Sequence, residues 1–113
     1  MKSAYALAAG IAVMITLHAV ENDSMNALAE RYVKLVLALG QHDADYVDAY
    51  YGPPEWQKEA ESGKPPLAEI DRDAAAVEAA LAAAKPAQSA EEILQLRHEY
   101  LSKQLSALRA RVS

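Results

Sequence analysis

The C-terminal third of the chain carries the residues that come closest to a metal site. His98-Glu99-Tyr100-Leu101-Ser102 begins like the His-Glu-x-x-His motif, in which two histidines one helical turn apart bind zinc and the glutamate acts as a base. Ser102 occupies the position of the second histidine, so half of the helical ligand set is missing. We therefore expect His98 to lie on the flank of a helix and Glu99 to pair with Lys103 four residues further on.

A second polar group, His42-Asp43-Ala44-Asp45 with Asp48, has the residue types of a cation site. An EF-hand loop would need an oxygen ligand at position 47 and a glycine after it, and the chain has valine and aspartate there. Acidic residues at the start of a helix also interact favourably with its dipole, which is the interpretation we prefer. The sequence predicts no metal ligand and no cofactor in this chain.

No other set of residues has the spacing of an active site. Glu59 with Glu61 and Glu91 with Glu92 are neighbouring carboxylates, but nothing near them in sequence would separate their pKa values for acid and base roles. The chain has no nucleophile elbow, no phosphate-binding glycine loop and no cysteine. We predict that it contains no catalytic residue.

The densest feature is aromatic. Four of the seven aromatic residues lie within eleven positions around Gly52-Pro53-Pro54, namely Tyr46, Tyr50, Tyr51 and Trp56. Large rigid side chains around a fixed bend are typical of a structural corner, where rings fill a helix junction and their polar tips reach water or backbone. The alternative is a recognition surface or a wall that faces a substrate. Both interpretations remain open at this point.

Composition favours an all-α fold for the elements that position these residues. The 113 residues suffice for one small domain, alanine is abundant, and phenylalanine is absent. Apolar residues recur at steps of three and four along three segments. These are Met25, Leu28, Tyr32, Leu35, Val36 and Leu39; then Leu67, Ile70, Ala74, Val77 and Leu81; then Leu94, Leu101, Leu105, Leu108 and Val112.

Turn and cap signals divide the chain into about three to five helices. Gly40 predicts a left-handed stop, and Asp43 caps a short helix that carries Val47, Tyr50 and Tyr51 up to Gly52. A further short helix holds Trp56 and ends near Gly63, and a loop at Lys64-Pro65-Pro66 precedes a helix over 67–84 that Pro86 terminates. Ser89 and Glu92 predict a capping box at the start of the last helix. The apolar pattern continues to Ser113 without a stop signal, which leads us to expect a longer chain and exposed Leu105, Leu108 and Val112.

The N-terminus has the layout of a signal peptide. Lys2 precedes eighteen uncharged residues over 3–20, with a cleavage point after Ala19. Uncleaved, the segment would be an inner-membrane anchor, and a buried helix is a third option. We predict a signal peptide or anchor over residues 1–20, a helical domain over 21–113, and a periplasmic or extracellular location. Contact with a membrane is expected only through residues 3–20.

Charge is unevenly distributed along the chain. Fifteen acidic and six basic residues lie within 21–92, whereas one acidic and four basic residues lie within 93–113, and the formal net charge of the whole chain is −5. An acidic body argues against nucleic acid as a partner, because neutralisation of phosphates supplies most of that affinity. The basic last helix either packs on the acidic body, stays in water or contacts an anionic surface.

Two segments carry a family resemblance. Residues 30–43 (Glu-Arg-Tyr-Val-Lys-Leu-Val-Leu-Ala-Leu-Gly-Gln-His-Asp) and 46–56 resemble the N-terminal region of large, mainly helical bacterial zinc-metallopeptidase-like proteins of undefined function, and residues 97–105 fall where those proteins carry a similar helix. The family places a His-Glu-x-x-Pro-Gly-His-His motif far downstream. That motif has no match here, so no catalytic or metal-binding residue carries over, and zinc is implied for the full-length relative only.

The resemblance implies a non-catalytic exported N-terminal portion of a metallopeptidase-like protein, whose partner is the remainder of the same polypeptide or another helical surface. The alternative is a complete small exported helical interaction or scaffold protein.

Overall fold

The computed structural model describes residues 24–113. Helix α1 covers 24–40, a 3-10 helix covers Ala44–Tyr46, and α2, α3 and α4 cover Pro54–Gly63, Leu67–Ala83 and Glu92–Val112. This part of the chain contains no β-strand, which confirms the all-α prediction. The predicted signal peptide or anchor over 1–20 lies outside the described residues. Within 24–113, no helix combines the length and the hydropathy that crossing a bilayer requires.

Side-chain contacts define how the three long helices run. Asn26 in the first turn of α1 bonds Arg97, and Asp43, three residues after the end of α1, bonds Arg111, so α1 and α4 are parallel. Asp71 and Leu81 of α3 bond Arg109 and His98 of α4, so α3 is antiparallel to α4. Helix α1 is therefore antiparallel to α3, and the 3-10 helix and α2 lie in the connection between them.

The core lies between α1, α3 and α4. Leu39, Ile70, Leu81, Leu105 and Leu108 are almost completely buried. The cluster is completed by Met25, Leu28, Leu35, Ala38, Ala74, Val77, Leu94 and Leu101, with Tyr32, Val36 and Val112 packed on it partly buried. The three predicted apolar stripes therefore face one another, and burial of these side chains is the main favourable term in folding. Leu67 is the exception, since it is exposed at the first turn of α3.

The expectation that Leu105, Leu108 and Val112 would be exposed is wrong. Leu105 and Leu108 have no exposed surface, and Val112 packs against the core at intermediate exposure. The stripe on α4 is covered because α1 and α3 pack on it from two sides. The apolar residues that α4 does expose are Ile93, Leu96 and Tyr100, on another face of the helix.

Two predictions about the region after α1 are also corrected. No described glycine has a positive φ, so Gly40 is not a left-handed stop; α1 ends instead in a turn in which the amides of His42 and Asp43 both bond the carbonyl of Leu39. Asp43 does cap the next element through Oδ1. That element is a single 3-10 turn, and residues 47–53 are irregular where a helix was predicted up to Gly52.

The start of α4 differs from the predicted capping box. The N-cap residue is Glu91, without a side-chain cap bond, and Ser89 lies in the preceding turn. The Gln95 side-chain amide orders this turn, because its Nε2 bonds the carbonyls of Gln88 and Ala90, both at 2.9 Å. The end of α2 and the loop at 64–66 agree with the prediction, and the left-handed residue there is Lys64 with φ 38°.

Candidate functional site

The aromatic corner, residues 42–56, is held at its N-terminal end by side-chain bonds. His42 donates from Nε2 to the carbonyl of Pro65 at 2.6 Å, which ties the end of α1 to the loop before α3. The Asp43 carboxylate accepts from the Asp45 amide at 3.2 Å and from Arg111 Nε at 2.7 Å. One aspartate thus caps the 3-10 turn and joins the corner to the last turn of α4.

Tyr46 is the inward residue of the corner. Its ring packs partly buried on the core at the end of the 3-10 helix. Burial raises the pKa of Tyr46, and the nearby Arg111 charge partly opposes this. Burial likewise raises the pKa of Tyr32 on α1 to about 12, with smaller contributions from Tyr46 and Tyr100. These phenols stay neutral at physiological pH and serve packing.

Tyr50 folds back over the bend. Its hydroxyl donates to the carbonyl of Pro53 at 2.7 Å. The ring lies so close to Gly52 that a Cβ at that position would stand 2.5 Å from the Tyr50 hydroxyl oxygen. Glycine is therefore required here for close approach and not for a positive φ. Burial raises the pKa of Tyr50, and the Glu55 charge adds to the effect.

Tyr51 and Trp56 have contrasting environments. Tyr51 is 95% exposed, the highest value among the exposed large apolar side chains. Trp56 is half-buried on α2, where the Lys34 ammonium lies 5.5 Å from the ring centre, a cation–π distance. Lys34 also pairs with Glu59 at 3.5 Å. Trp56 borders a groove of about 410 Å³ between α1, α2 and α3.

The structure gives the four predicted residues four different roles. Tyr46 packs inward, Tyr50 closes the bend, Trp56 flanks a groove, and Tyr51 points into solvent. Of these four residues, Tyr51 has the largest exposed fraction.

The near match to a zinc motif occupies a second groove, of about 780 Å³, between α3 and α4. His98 Nε2 donates to the Leu81 carbonyl at 2.6 Å, Ser102 bonds back to the His98 carbonyl at 2.8 Å, and Glu99 pairs with Lys103 at 2.9 Å. His98 therefore links α4 to the end of α3, and both predictions for this segment are confirmed. Residues 24–113 place no group of three or more metal-binding side chains together.

Charges on α4 pair with the body of the domain. Arg109 bonds Asp71 and Glu78 of α3, and Arg111 bonds Asp43. Arg97 donates to the Asn26 side chain at 2.9 Å. The ion pairs of Arg109 and Arg111 agree with the interpretation that the basic last helix packs on the acidic body.

Sequence reasoning missed the exposed set Ile93, Leu96 and Tyr100. The signal was present, since these residues also follow a spacing of three and four. It was hidden by the stronger leucine stripe on the same helix.

Comparisons of the chain with protein-family models, curated proteins and solved structures give no match. The metallopeptidase resemblance therefore stays a prediction from residues 30–43, 46–56 and 97–105.

Proposed function

We propose that this chain is an exported, non-catalytic N-terminal helical portion of a zinc-metallopeptidase-like protein, and that it contacts the catalytic part through Tyr51. The family assignment rests on the resemblance in residues 30–43, 46–56 and 97–105. Zinc would belong to the His-Glu-x-x-Pro-Gly-His-His motif of the catalytic part. This chain would provide a rigid surface against which that part packs.

The observation that carries the contact is the exposure of Tyr51, at 95%. Tyrosine is enriched among the few residues that dominate the binding energy of interfaces, because it buries a large rigid surface and keeps a polar tip. An exposed ring of this size in a small acidic domain is a natural anchor for a concave partner surface.

The backbone around Tyr51 is fixed before binding. The Tyr50 hydroxyl bonds Pro53 on one side, and two prolines follow at the start of α2. On the other side, Asp43 is joined to Arg111 and His42 to Pro65. A side chain presented from an ordered bend loses little conformational entropy on binding, which favours affinity.

A second candidate, a small exported helical interaction or scaffold protein without a metallopeptidase partner, is favoured by the closed core. Leu105 and Leu108 are fully buried by α1 and α3, so this bundle needs no further residues to cover its main stripe.

Site-specific photo-crosslinking tests the proposal. A photoreactive phenylalanine analogue replaces Tyr51 in the full chain, expressed in its native host, and cross-linked proteins from the cell envelope are identified by mass spectrometry. The matched control carries the analogue at Arg72, an exposed position on α3. We expect position 51, and not position 72, to capture a polypeptide with the His-Glu-x-x-Pro-Gly-His-His motif.

Other outcomes decide between the two candidates. Specific capture at position 51 of a protein without that motif supports the scaffold function. Equal capture at positions 51 and 72 overturns the role of Tyr51. Hydrolysis of an unfolded protein substrate by the purified chain, abolished by a zinc chelator, would overturn the non-catalytic assignment.

A further inference from the structure

Helix α4 has an exposed apolar face, which we call the outer face, formed by Ile93, Leu96 and Tyr100. These side chains are 61%, 51% and 65% exposed. The same register continues through Lys103 and the exposed Ala107 and Ala110. Written as a heptad, positions a are 93, 100 and 107 and positions d are 96, 103 and 110, which is the pattern by which one helix packs along another.

The two flanks of the outer face carry opposite charges. Glu92 and Glu99 occupy the g positions on one flank, and Arg97 and Arg111 occupy e positions on the other. Glu92 forms no ion pair within residues 24–113. Arg97 gives only Nη2 to Asn26, which leaves other guanidinium N–H groups for a second acceptor.

We propose that the outer face of α4 packs in parallel against the same face of a second copy of this chain. In a parallel pair, a g residue faces the e residue five positions further along the partner helix, so Glu92 of each copy faces Arg97 of the other. Two such pairs form across the dimer axis. The apolar contacts at Ile93, Leu96 and Tyr100 lie between them.

The charges on the two flanks determine whether the helices of the two copies pack in parallel or antiparallel. In an antiparallel pair, g positions face g positions and e positions face e positions, so the acidic flank of one helix would lie along the acidic flank of the other and the arginine flank along the arginine flank. Like charges in contact disfavour that arrangement. A helical partner other than a second copy would need its own complementary charges, whereas a second copy supplies both signs from this chain alone.

Lys103 limits how far along α4 the contact between the two copies extends. It occupies a d position, where two ammonium groups would approach one another across the seam. Its pairing with Glu99 at 2.9 Å compensates part of the charge within each helix. Small alanines follow at 107 and 110, so the contact is centred on the N-terminal half of α4, and the dimer is expected to be weak.

This surface is independent of the proposed function. The aromatic corner meets α4 at Arg111, and Ile93 lies eighteen residues before it, about 27 Å along the helix at about 1.5 Å per residue. Both surfaces can therefore be used at once, and either one can fail in experiment without the other.

Single cysteines test the parallel register, because the natural chain contains none. Ile93→Cys, Leu96→Cys and Tyr100→Cys variants of the full chain are oxidised at several concentrations and examined for disulfide-linked dimers. In a parallel pair each position meets itself, so we expect all three to cross-link at least 10-fold faster than Arg72→Cys on α3. Efficient cross-linking at a single position only would indicate an antiparallel pair and overturn the proposal.

Exchanging the charges of Glu92 and Arg97 tests whether the partner is a second copy of this chain. Sedimentation equilibrium of the full chain is measured from about 5 to about 500 μM, a range that brackets weak interfaces. We expect Glu92→Arg and Arg97→Glu each to weaken the dimer about 10-fold and the double variant to restore it. Leu96→Glu should abolish the dimer, whereas Arg72→Glu should leave it unchanged.

All of these variants retain residues 1–23, so a difference between Leu96→Glu and Arg72→Glu reports the outer face and not the N-terminal apolar segment. Circular dichroism verifies that each variant is folded. A chain that stays monomeric over the whole range, or a dimer that is insensitive to Leu96→Glu, overturns the proposal.

Discussion

Arg109 of α4 forms a two-point contact with Asp71 of α3, in which Nε donates to Oδ1 at 2.9 Å and Nη2 donates to Oδ2 at 3.4 Å. The remaining guanidinium nitrogen, Nη1, donates to Glu78 at 3.1 Å. Asp71 and Glu78 are seven residues apart, so one arginine connects two positions on the same face of α3. This geometry aligns α3 and α4 near the end of the chain.

The first prediction concerns acid. The hydrogen bond from Arg109 lowers the pKa of Asp71 below its ordinary value of 3.8. The stabilisation is therefore complete above that value and is lost as the pH falls through the lower folded-state pKa. We expect Arg109→Gln to destabilise the domain at pH 7 and to lose less additional stability than the wild type between pH 4 and pH 2.

Urea unfolding followed by the fluorescence of Trp56 measures this difference. Arg72→Gln, on the exposed side of α3, is the matched control and should follow the wild-type pH profile. If the stability of Arg109→Gln and of the wild type changes with pH in the same way, the contact with Arg109 does not lower the pKa of Asp71.

The second prediction concerns the core position that was expected to be exposed. Leu105→Ala removes a side chain with no exposed surface and leaves a cavity, so it should lower the free energy of unfolding by about 2 to 5 kcal/mol. Leu96→Ala, on the half-exposed outer face of the same helix, should change it by less than about 0.5 kcal/mol in the monomer. If the two variants lower the free energy of unfolding by similar amounts in urea titrations at low protein concentration, the burial of Leu105 is contradicted.

The third prediction concerns alkali. Burial holds the pKa of Tyr32 at about 12 in the folded state, against an ordinary value of 10.0. This contribution to stability is present below pH 10 and is lost as the pH rises toward 12, because the unfolded chain ionises first. Tyr32→Phe should therefore be less sensitive to pH between 10 and 12 than the wild type. Absorbance at the tyrosinate band should also lose its highest-pH component in this variant.

The control for this experiment is Tyr51→Phe, since the Tyr51 ring is almost fully in solvent. Tyr51→Phe leaves Tyr32 unchanged, so the highest-pH component of the absorbance should remain in this variant. If Tyr51→Phe also lacks the highest-pH component of the tyrosinate absorbance, that component does not belong to Tyr32.

The fourth prediction concerns the bend. Gly52→Ala places a methyl group where the Tyr50 ring lies, so Tyr50 must move and its bond to Pro53 is lost. We expect several-fold faster chymotryptic cleavage after Tyr50 or Tyr51, with little change in helix content. Gly63→Ala is the matched control, because the nearest atom to its added Cβ is 4.0 Å away. Equal cleavage rates for the two variants would show that the bend does not depend on Gly52.

The main features of the fold could be predicted from local patterns. The stripes on α1, α3 and α4 identify the buried faces, because a spacing of three and four places those residues on one side of a helix whatever its partners are. Asp43 as a cap, the loop at Lys64 and the Glu99–Lys103 pair depend on neighbours in sequence, and these were found as well.

Features that depend on distant residues were missed. The exposure of Leu105 and Leu108 was misjudged because burial of a stripe requires knowing that α1 and α3 both pack on α4. The N-cap residue is Glu91 and not Ser89, and the turn before it is ordered by Gln95, whose side-chain amide donates to the carbonyls of Gln88 and Ala90. The contacts that Arg109 and Arg111 make over more than thirty residues have no local signal.

The candidate site shows the same limit. The aromatic residues could be recognised as unusual from their density, but their separate roles depend on atoms that sequence spacing does not place. Tyr50 and Tyr51 are adjacent, yet one closes the bend and the other is in solvent. Trp56 lies beside Lys34, which belongs to another helix.

The parallel arrangement of α1 and α4 has a consequence for the order in which the chain folds. The antiparallel α3 and α4 are joined by a short connection over 84–91, so their contacts close a small loop and can form early. Contacts of α1 with α4, such as Asn26 with Arg97, span 71 residues and require the 41–66 connection to be accommodated first. We therefore expect the helical hairpin of α3 and α4 to form first and α1 to dock onto it in a later, slower step.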